Sequence, residues 1–197
     1  LQMFLMAGVV SGELRRLSRL VRNMLDISRL QAMGVEESRM TRFDLGELMS
    51  DVIITFEQKI NAKKLQVNVD LPDRALWTRA ERDSITQVVY NLVDNAIKYT
   101  PVGSHIAITT KGENGYAVVG VSDDGPGISD GEKERIFQMF YTGSNPIADS
   151  RRSLGLGLGL CKSIITAHGG EIHVADNRPK GTVFTFTVPS GEVEVHE

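Results

Sequence analysis

The sequence predicts an α+β fold, a two-layer α/β sandwich in which one mixed sheet is covered by helices on one face. Three observations predict it. Apolar residues recur every three or four positions from Leu45 to Ile60 and from Ile85 to Ala96, the spacing of helices that bury one side. They alternate one-by-one near 65–70, 105–123, 171–176 and 181–189, the spacing of half-buried strands. Helical and strand segments are mixed along the chain, with no internal repeat and no low-complexity stretch.

Each element follows from local chemistry. Glu13 to Gln31 reads as a helix, with Leu14, Leu17, Val21 and Met24 on one stripe, Leu20 and Ile27 widening it, and arginines opposite. Such a helix requires a partner helix or a second copy of itself. Gly34 and the polar run to Ser38 read as a linker, dividing a first unit, 1–38, from a second, 39–197. Asp44 and Glu47 resemble a capping box ahead of Leu45, Leu48, Val52, Phe56 and Ile60. "KLQVNVDLP" alternates as a strand that Pro72 ends. Glu81 to Tyr99 is a long helix with core residues Ile85, Val88, Val89, Leu92 and Ala96, stopped by Pro101 and Gly103. "HIAITTKGENGYAVVGVSDDG" reads as two strands around the Gly112–Gly115 turn. From Pro126 to Leu154 the pattern loosens, and a long connection of this kind reads as a functional lid. A helix from about Leu156 to His168 ends in Gly169–Gly170, and two strands, "GEIHVAD" and "GTVFTFTVP", close the fold.

Bulk properties narrow the function. A chain of 197 residues with 41% hydrophobic content can build a sizeable core. A net charge of −3 argues against nucleic-acid or anionic-membrane partners. The single cysteine, Cys161, excludes an internal disulfide and a cysteine-rich metal site. No run is long enough to span a bilayer. The opening residue Leu1 leads to the expectation that this is a piece of a longer protein.

Four patches carry chemistry. In "NLVDNAIKYT", Asn91, Asn95 and Lys98 fall at i, i+4 and i+7, so two amides and an ammonium share a helix face. They suit a phosphate chain and a hard cation such as magnesium, and equally a plain solvated face. "DDGPGI" places Asp123 at the end of a strand, where an acceptor would select the exocyclic amine of adenine, with Gly125 and Gly127 letting backbone lie against a flat base. A simple strand-to-loop turn has the same composition. In "RIFQMFYTG", Phe137 and Phe140 either pin a lid or form a small satellite core. "SLGLGLGLCKSIITAHGG" fails as a dinucleotide fingerprint, because Leu160 stands where the last glycine belongs and no strand precedes it. It fails as a P-loop too. What remains is a hinge into a helix N-terminus, whose free N–H groups can bind phosphate.

Together and in this order, the four patches resemble the catalytic, ATP-binding domain of sensor histidine kinases. "NLVDNAIKYT" looks like the family's N box, "DDGPGI" and "GLGLGL" its two glycine boxes, and "FQMFY" its F box. The similarity runs from about Thr41 to Pro189. It implies the ATP-binding fold shared with gyrase, Hsp90 and MutL, and roles residue by residue. Asn95 would hold Mg2+, Asn91 and Lys98 would steady the phosphates, Tyr99 would lie near the base, and Asp123 would accept from the adenine amine. Gly125, Gly127, Gly155, Gly157 and Gly159 would shape the pocket and hinge the lid, with Ile128, Leu156, Leu158 and Thr182 completing the ATP-binding set. Asn95 and Lys98 would be the catalytic pair.

"RLSRLVRNMLDISRLQ" is similar to the second helix of the family's dimerisation and phosphotransfer hairpin. The resemblance implies a homodimeric bundle, a response-regulator partner, and a membrane-anchored parent with this part on the cytoplasmic side. "SGELRRL" lacks the phosphoacceptor histidine of the family pattern, since Gly12 stands in its place. The chain is therefore expected to bind nucleotide without phosphorylating itself. His168, Cys161 and Trp77 read as structural. The stretch from Phe140 to Ile172 resembles a potassium-responsive branch of the family. There Thr142 replaces a basic residue, and Arg151 and Arg152 would supply charge over the γ-phosphate. An ATPase or serine-kinase relative on the same fold, and a nucleotide-binding module without transfer activity, are the alternatives.

Overall fold

The computed structural model describes residues 2–141 and 155–191. Helix α1 (Gln2–Met33) is longer than its stripe predicts. A short 3-10 turn, Glu37–Arg39, follows it. Strand β1 (Thr41–Asp44) leads into α2 (Leu45–Thr55) and α3 (Glu57–Ala62). Then come β2 (Gln66–Asp70), β3 (Trp77–Ala80) and α4 (Arg82–Tyr99). Strands β4 (His105–Glu113) and β5 (Tyr116–Asp123) form a hairpin, followed by the single turn α5 (Asp130–Lys133). Helix α6 (Gly157–Ala167), β6 (Ile172–Asp176) and β7 (Thr182–Pro189) complete the order.

The main sheet has strand order β2-β4-β5-β7-β6. Only β2 and β4 run parallel, so the sheet is mixed as predicted. Its inward face is built in rows. Ile108 pairs with Val121, Val121 with Phe184, and Phe184 with Val174. One step along, Thr110, Val119, Phe186 and Ile172 align in the same way. These rows pack against Leu48, Val52, Ile85, Val88, Leu92, Leu160, Ile164 and Ile165 in one continuous core with α2, α4 and α6. The α1 residues Ile27 and Leu30 join the same core. Leu14, Leu17, Val21, Met24 and Leu25 instead leave nearly half or more of their surface exposed.

Two local readings are corrected and two features are added. The predicted continuous helix over Leu45–Ile60 breaks at Phe56, which closes α2 with its N–H on Ile53 O. The capping box is a different cap: Asp44 accepts from Gly46 N at 2.9 Å and from Leu76 N at 3.1 Å, with no part for Glu47. Trp77, read as structural, packs at the surface and stays out of the core. It leaves 38% of its surface exposed on β3, with the Arg42 guanidinium 4.7 Å above its ring. The β1–β3 pair is a small second sheet that the sequence patterns did not predict.

Candidate functional site

The last row of the inward face ends in polar residues. Ile106 pairs with Asp123, and Asp123 with Thr182. A hydrophobic side chain would continue the core here. A carboxylate stands there instead, 6% exposed, beside a threonine 5% exposed. Burying a carboxylate requires hydrogen-bond donors, and Gly125 N donates to Asp123 Oδ1 at 2.9 Å, joined by the Thr182 N–H. Burial nonetheless pushes the Asp123 pKa up, against the pull of those two donors.

The surrounding backbone is fitted closely around this carboxylate. Gly181 has φ +107°, and a Cβ there would collide with the backbone oxygen of Asp123. Asn177 Nδ2 donates to that same oxygen at 2.8 Å. Neighbouring Asp124 turns away, taking His105 N at 3.1 Å and His105 Nδ1 at 3.2 Å. The two adjacent aspartates therefore do different work. Only Asp123 faces the cavity.

That cavity has a volume of about 270 Å³. On one side it is walled by α4, which presents Asn91, Asn95, Lys98 and Tyr99 on one face. Opposite lie Asp123, Gly127, Ile128 and Thr182, and the Gly155–Leu158 stretch forms a third side. Thus twelve of the fourteen predicted residues come together: these eight and Gly155, Leu156, Gly157 and Leu158. Gly125 and Gly159 stand behind the wall. A Cβ at Gly125 would lie 3.2 Å from Tyr99 O, and one at Gly159 would lie 3.3 Å from Phe137 O. Both let elements approach rather than lining the space. Asn91 Nδ2 reaches Gly157 O at 3.5 Å, linking α4 to the start of α6. Arg151, Arg152 and Thr142, with the rest of 142–154 in the expected lid, lie outside the described residues.

Sequence reasoning missed several lining residues. Tyr90 and Asp94 share the α4 face with Asn91 and Lys98, and helical spacing alone could have found them. Glu132 of α5 and Ile136 and Tyr141 from the turns after it also line the cavity, and Tyr141 OH donates to Glu132 Oε1 at 3.2 Å. Leu20 and Asn23 of α1 also line the cavity, and Gln87 Nε2 donates to Asn23 Oδ1 at 3.4 Å. No local signal marks them, because that contact is set by how α1 lies on the body.

The structural residues fall outside the cavity. Cys161 is fully buried, and burial pushes its thiol up to about 12. His168 is buried at the end of α6, with Nδ1 donating to Ile164 O at 2.7 Å. Phe137 packs edge-on against Phe184 with centroids 6.2 Å apart, whereas Phe140 is exposed. Among the described residues no helix is long and apolar enough to cross a membrane. No group of three or more His, Cys, Asp or Glu among them is placed to hold a metal.

Residues 80–192 match the family described as histidine kinase-, DNA gyrase B- and HSP90-like ATPase. Sensor protein KdpD of Clostridium acetobutylicum is 36% identical over 160 residues, covering 76% of this chain and 18% of that protein. Sensor histidine kinase WalK of Bacillus subtilis is 34% identical over 186 residues, covering 93% of this chain and 30% of that protein. The chain thus spans under a third of the curated relatives it matches. The catalytic domain of histidine kinase ThkA in a nucleotide-free form superposes with a TM-score of 0.69 at 36% identity, covering 76% of this chain and 95% of that one. ThkA in complex with response regulator TrrA gives 0.72 at 34% identity, covering 92% and 49%.

Proposed function

The chain belongs to the histidine kinase-, DNA gyrase B- and HSP90-like ATPase family, and from that premise we propose that it is the ATP-binding catalytic part of a two-component sensor histidine kinase. It would transfer the γ-phosphoryl group of ATP to a histidine on a phosphotransfer bundle, from which a response-regulator aspartate takes it. The observation that carries this reading is Asp123: a buried carboxylate at the end of β5, preceded on the same face by Ala117, Val119 and Val121, held by its own turn and open to a cavity. An acceptor fixed there discriminates for a donor such as the adenine amine. Across the cavity, the amides of Asn91 and Asn95 and the ammonium of Lys98 make a face suited to phosphate.

The residues present fit Mg·ATP. Asn95 would hold magnesium through its amide oxygen, a ligand type that this hard cation accepts. Bound Mg2+ would offset charge on the transferring group. Lys98 adds a fixed positive charge, and Asn91 ties the phosphate-facing helix to α6. Leu156, 2% exposed, is buried just ahead of α6 and lines the cavity. The protein's contribution is positioning and charge neutralisation.

The wider assignments rest on the relatives. A response-regulator partner is supported by the ThkA–TrrA likeness. Assembly of α1 into a homodimeric bundle is supported by its exposed stripe. A membrane-anchored parent, with this part on the cytoplasmic side, follows from the sensor-kinase reading. Potassium-responsive signalling is the narrowest assignment and rests on the likeness to KdpD. Calorimetric titration with ATP, with and without magnesium, tests the core of the proposal. We expect saturable binding that magnesium strengthens and that Asp123→Asn weakens about 10- to 100-fold, the loss of one charge-assisted hydrogen bond. Absence of binding by the unaltered chain overturns it.

A further inference from the structure

Helix α4 carries the phosphate-facing side chains, and its C-terminal turn ends against the adenine-facing turn. That C-terminus should leave carbonyls without partners. Ala96 O is taken by Thr100 N at 3.1 Å. Three of the rest converge on one side chain from elsewhere in the chain. Lys63 Nζ donates to Ile97 O at 2.6 Å, Thr100 O at 2.9 Å and Lys98 O at 3.1 Å. An ammonium has three protons, and here all three are directed at one helix end. The placement is also electrostatically favoured, because the C-terminus of a helix carries partial negative charge.

The anchor is itself anchored. Lys63 follows α3 directly, and its N–H closes that helix on Lys59 O at 3.1 Å. Its carbonyl accepts from Gly103 N at 2.9 Å, so the loop leaving α4 folds back onto the same residue. Burial lowers the Lys63 pKa, because desolvation disfavours the charged ammonium.

Tyr99 O, between the bonded carbonyls, lies close beside Gly125: an added Cβ there would sit 3.2 Å from it. Gly125 N in turn holds Asp123 Oδ1. A run of neighbouring groups therefore leads from the Lys63 ammonium, through the last turn of α4, past the close approach of Tyr99 to Gly125, to the Asp123 carboxylate.

We propose that Lys63 is a positioning residue for nucleotide binding, fixing the α4 C-terminus so that Lys98, Tyr99 and the Gly125 turn present one preorganised wall. It touches no nucleotide and acts through Asp123 and Tyr99. The inference rests on the ATP-binding reading above. It assigns the base-end wall to a side chain on α3's far end, distant in sequence from every motif residue.

The test compares the unaltered chain with Lys63→Met, which keeps the stem and removes the donors, and Lys63→Arg, which restores donors. Adenosine and Mg·ATP are titrated calorimetrically, and thermal midpoints are recorded alongside. We expect Lys63→Met to weaken adenosine binding at least about 10-fold and Lys63→Arg to recover most of that loss. A lowered midpoint with unchanged adenosine affinity would mean a structural cap only, and overturns the proposal. If the unaltered chain binds no nucleotide, the ATP-binding reading fails first and takes this one with it. Should Lys63→Met not fold, the side-chain nitrogen resonance of Lys63 in the unaltered chain decides: adenosine must shift it, and an unmoved resonance overturns the proposal.

Discussion

The backbone N–H of Glu81 donates to Nε2 of His168 at 3.1 Å, joining positions 87 residues apart. Glu81 caps the start of α4, and His168 caps the end of α6. The two helices that wall the cavity are thus tied at a point remote from it. Because Nε2 accepts, the proton sits on Nδ1 and goes to Ile164 O. Neutral histidine is the form this geometry needs.

His168 therefore predicts an acid limit to stability. Burial holds its pKa below the ordinary histidine value. The unfolded chain binds the proton first, so stability falls as pH drops below about 6.5 and levels off beneath the lowered native value. Thermal melts from pH 7.5 to 5 should show this decline, and NMR titration should place the His168 ring below ordinary histidines. A ring titrating above pH 6.5 would contradict the arrangement.

The Glu81 side chain does a second job. It accepts from Arg39 at 2.9 Å, Arg29 at 3.2 Å and Ser84 at 2.9 Å, so α1, the following turn and α4 meet at one carboxylate. These partners hold its pKa down against burial, so this stability is present at neutral pH and lost as pH falls through the lowered native value. Glu81→Ala should cost about 2 kcal/mol in denaturant unfolding. Arg39→Ala, at an exposed partner screened by solvent, should cost clearly less. Equal losses would mean the carboxylate is not the hub.

Asp123 should trade stability for binding. Its pKa is raised in the native state, so stability is lost as pH climbs from the ordinary aspartate value through the raised one, and the whole cost is in place at neutral pH. Asp123→Asn should raise the thermal midpoint at pH 7 while losing nucleotide affinity. In the unaltered chain, affinity should fall on acidification at a higher pH than an ordinary aspartate would give. A variant that loses both stability and affinity would assign Asp123 to the fold rather than to the ligand.

Much of this arrangement was legible in the sequence. The α4 face was readable because helical spacing maps directly onto geometry: Asn91, Asn95 and Lys98 do line one cavity. The strand rows were equally plain, since a strict two-residue period leaves one choice of face. Other features were not. Strands "TRFD" and "WTRA" are four residues each and largely polar, too short for a period to register. The break at Phe56 is invisible because the apolar stripe continues through it. The contact of Leu20 and Asn23 with the cavity, and the reach of Lys63 to α4, depend on tertiary placement that no local pattern encodes.

Gly181 and Gly131 predict opposite outcomes for the same change. Gly181→Ala must displace the Asp123 backbone and strain a positive φ, and should cost about 3 kcal/mol or more. Gly131 lies in α5 with nothing within 4 Å of an added Cβ, so Gly131→Ala should stay within about 0.5 kcal/mol. Chemical denaturation of the two variants gives the comparison directly.

Cys161 should report on opening of the core. With its thiol pushed up to about 12 and no exposed surface, it should resist iodoacetamide in the native chain at pH 8 and react once the chain unfolds. Rapid native labelling would show that α4 and α6 separate readily.

Phe140 N donates to Gly155 O at 2.9 Å, and Gly155, at φ +65°, sits so close to Tyr141 that no side chain fits there. Positions 140 and 155 are thus held together by backbone alone, independent of either side chain. Bringing two ends together costs entropy that grows only slowly with the length between them, so this seam should tolerate insertion beyond Tyr141 better than a side chain at Gly155 itself.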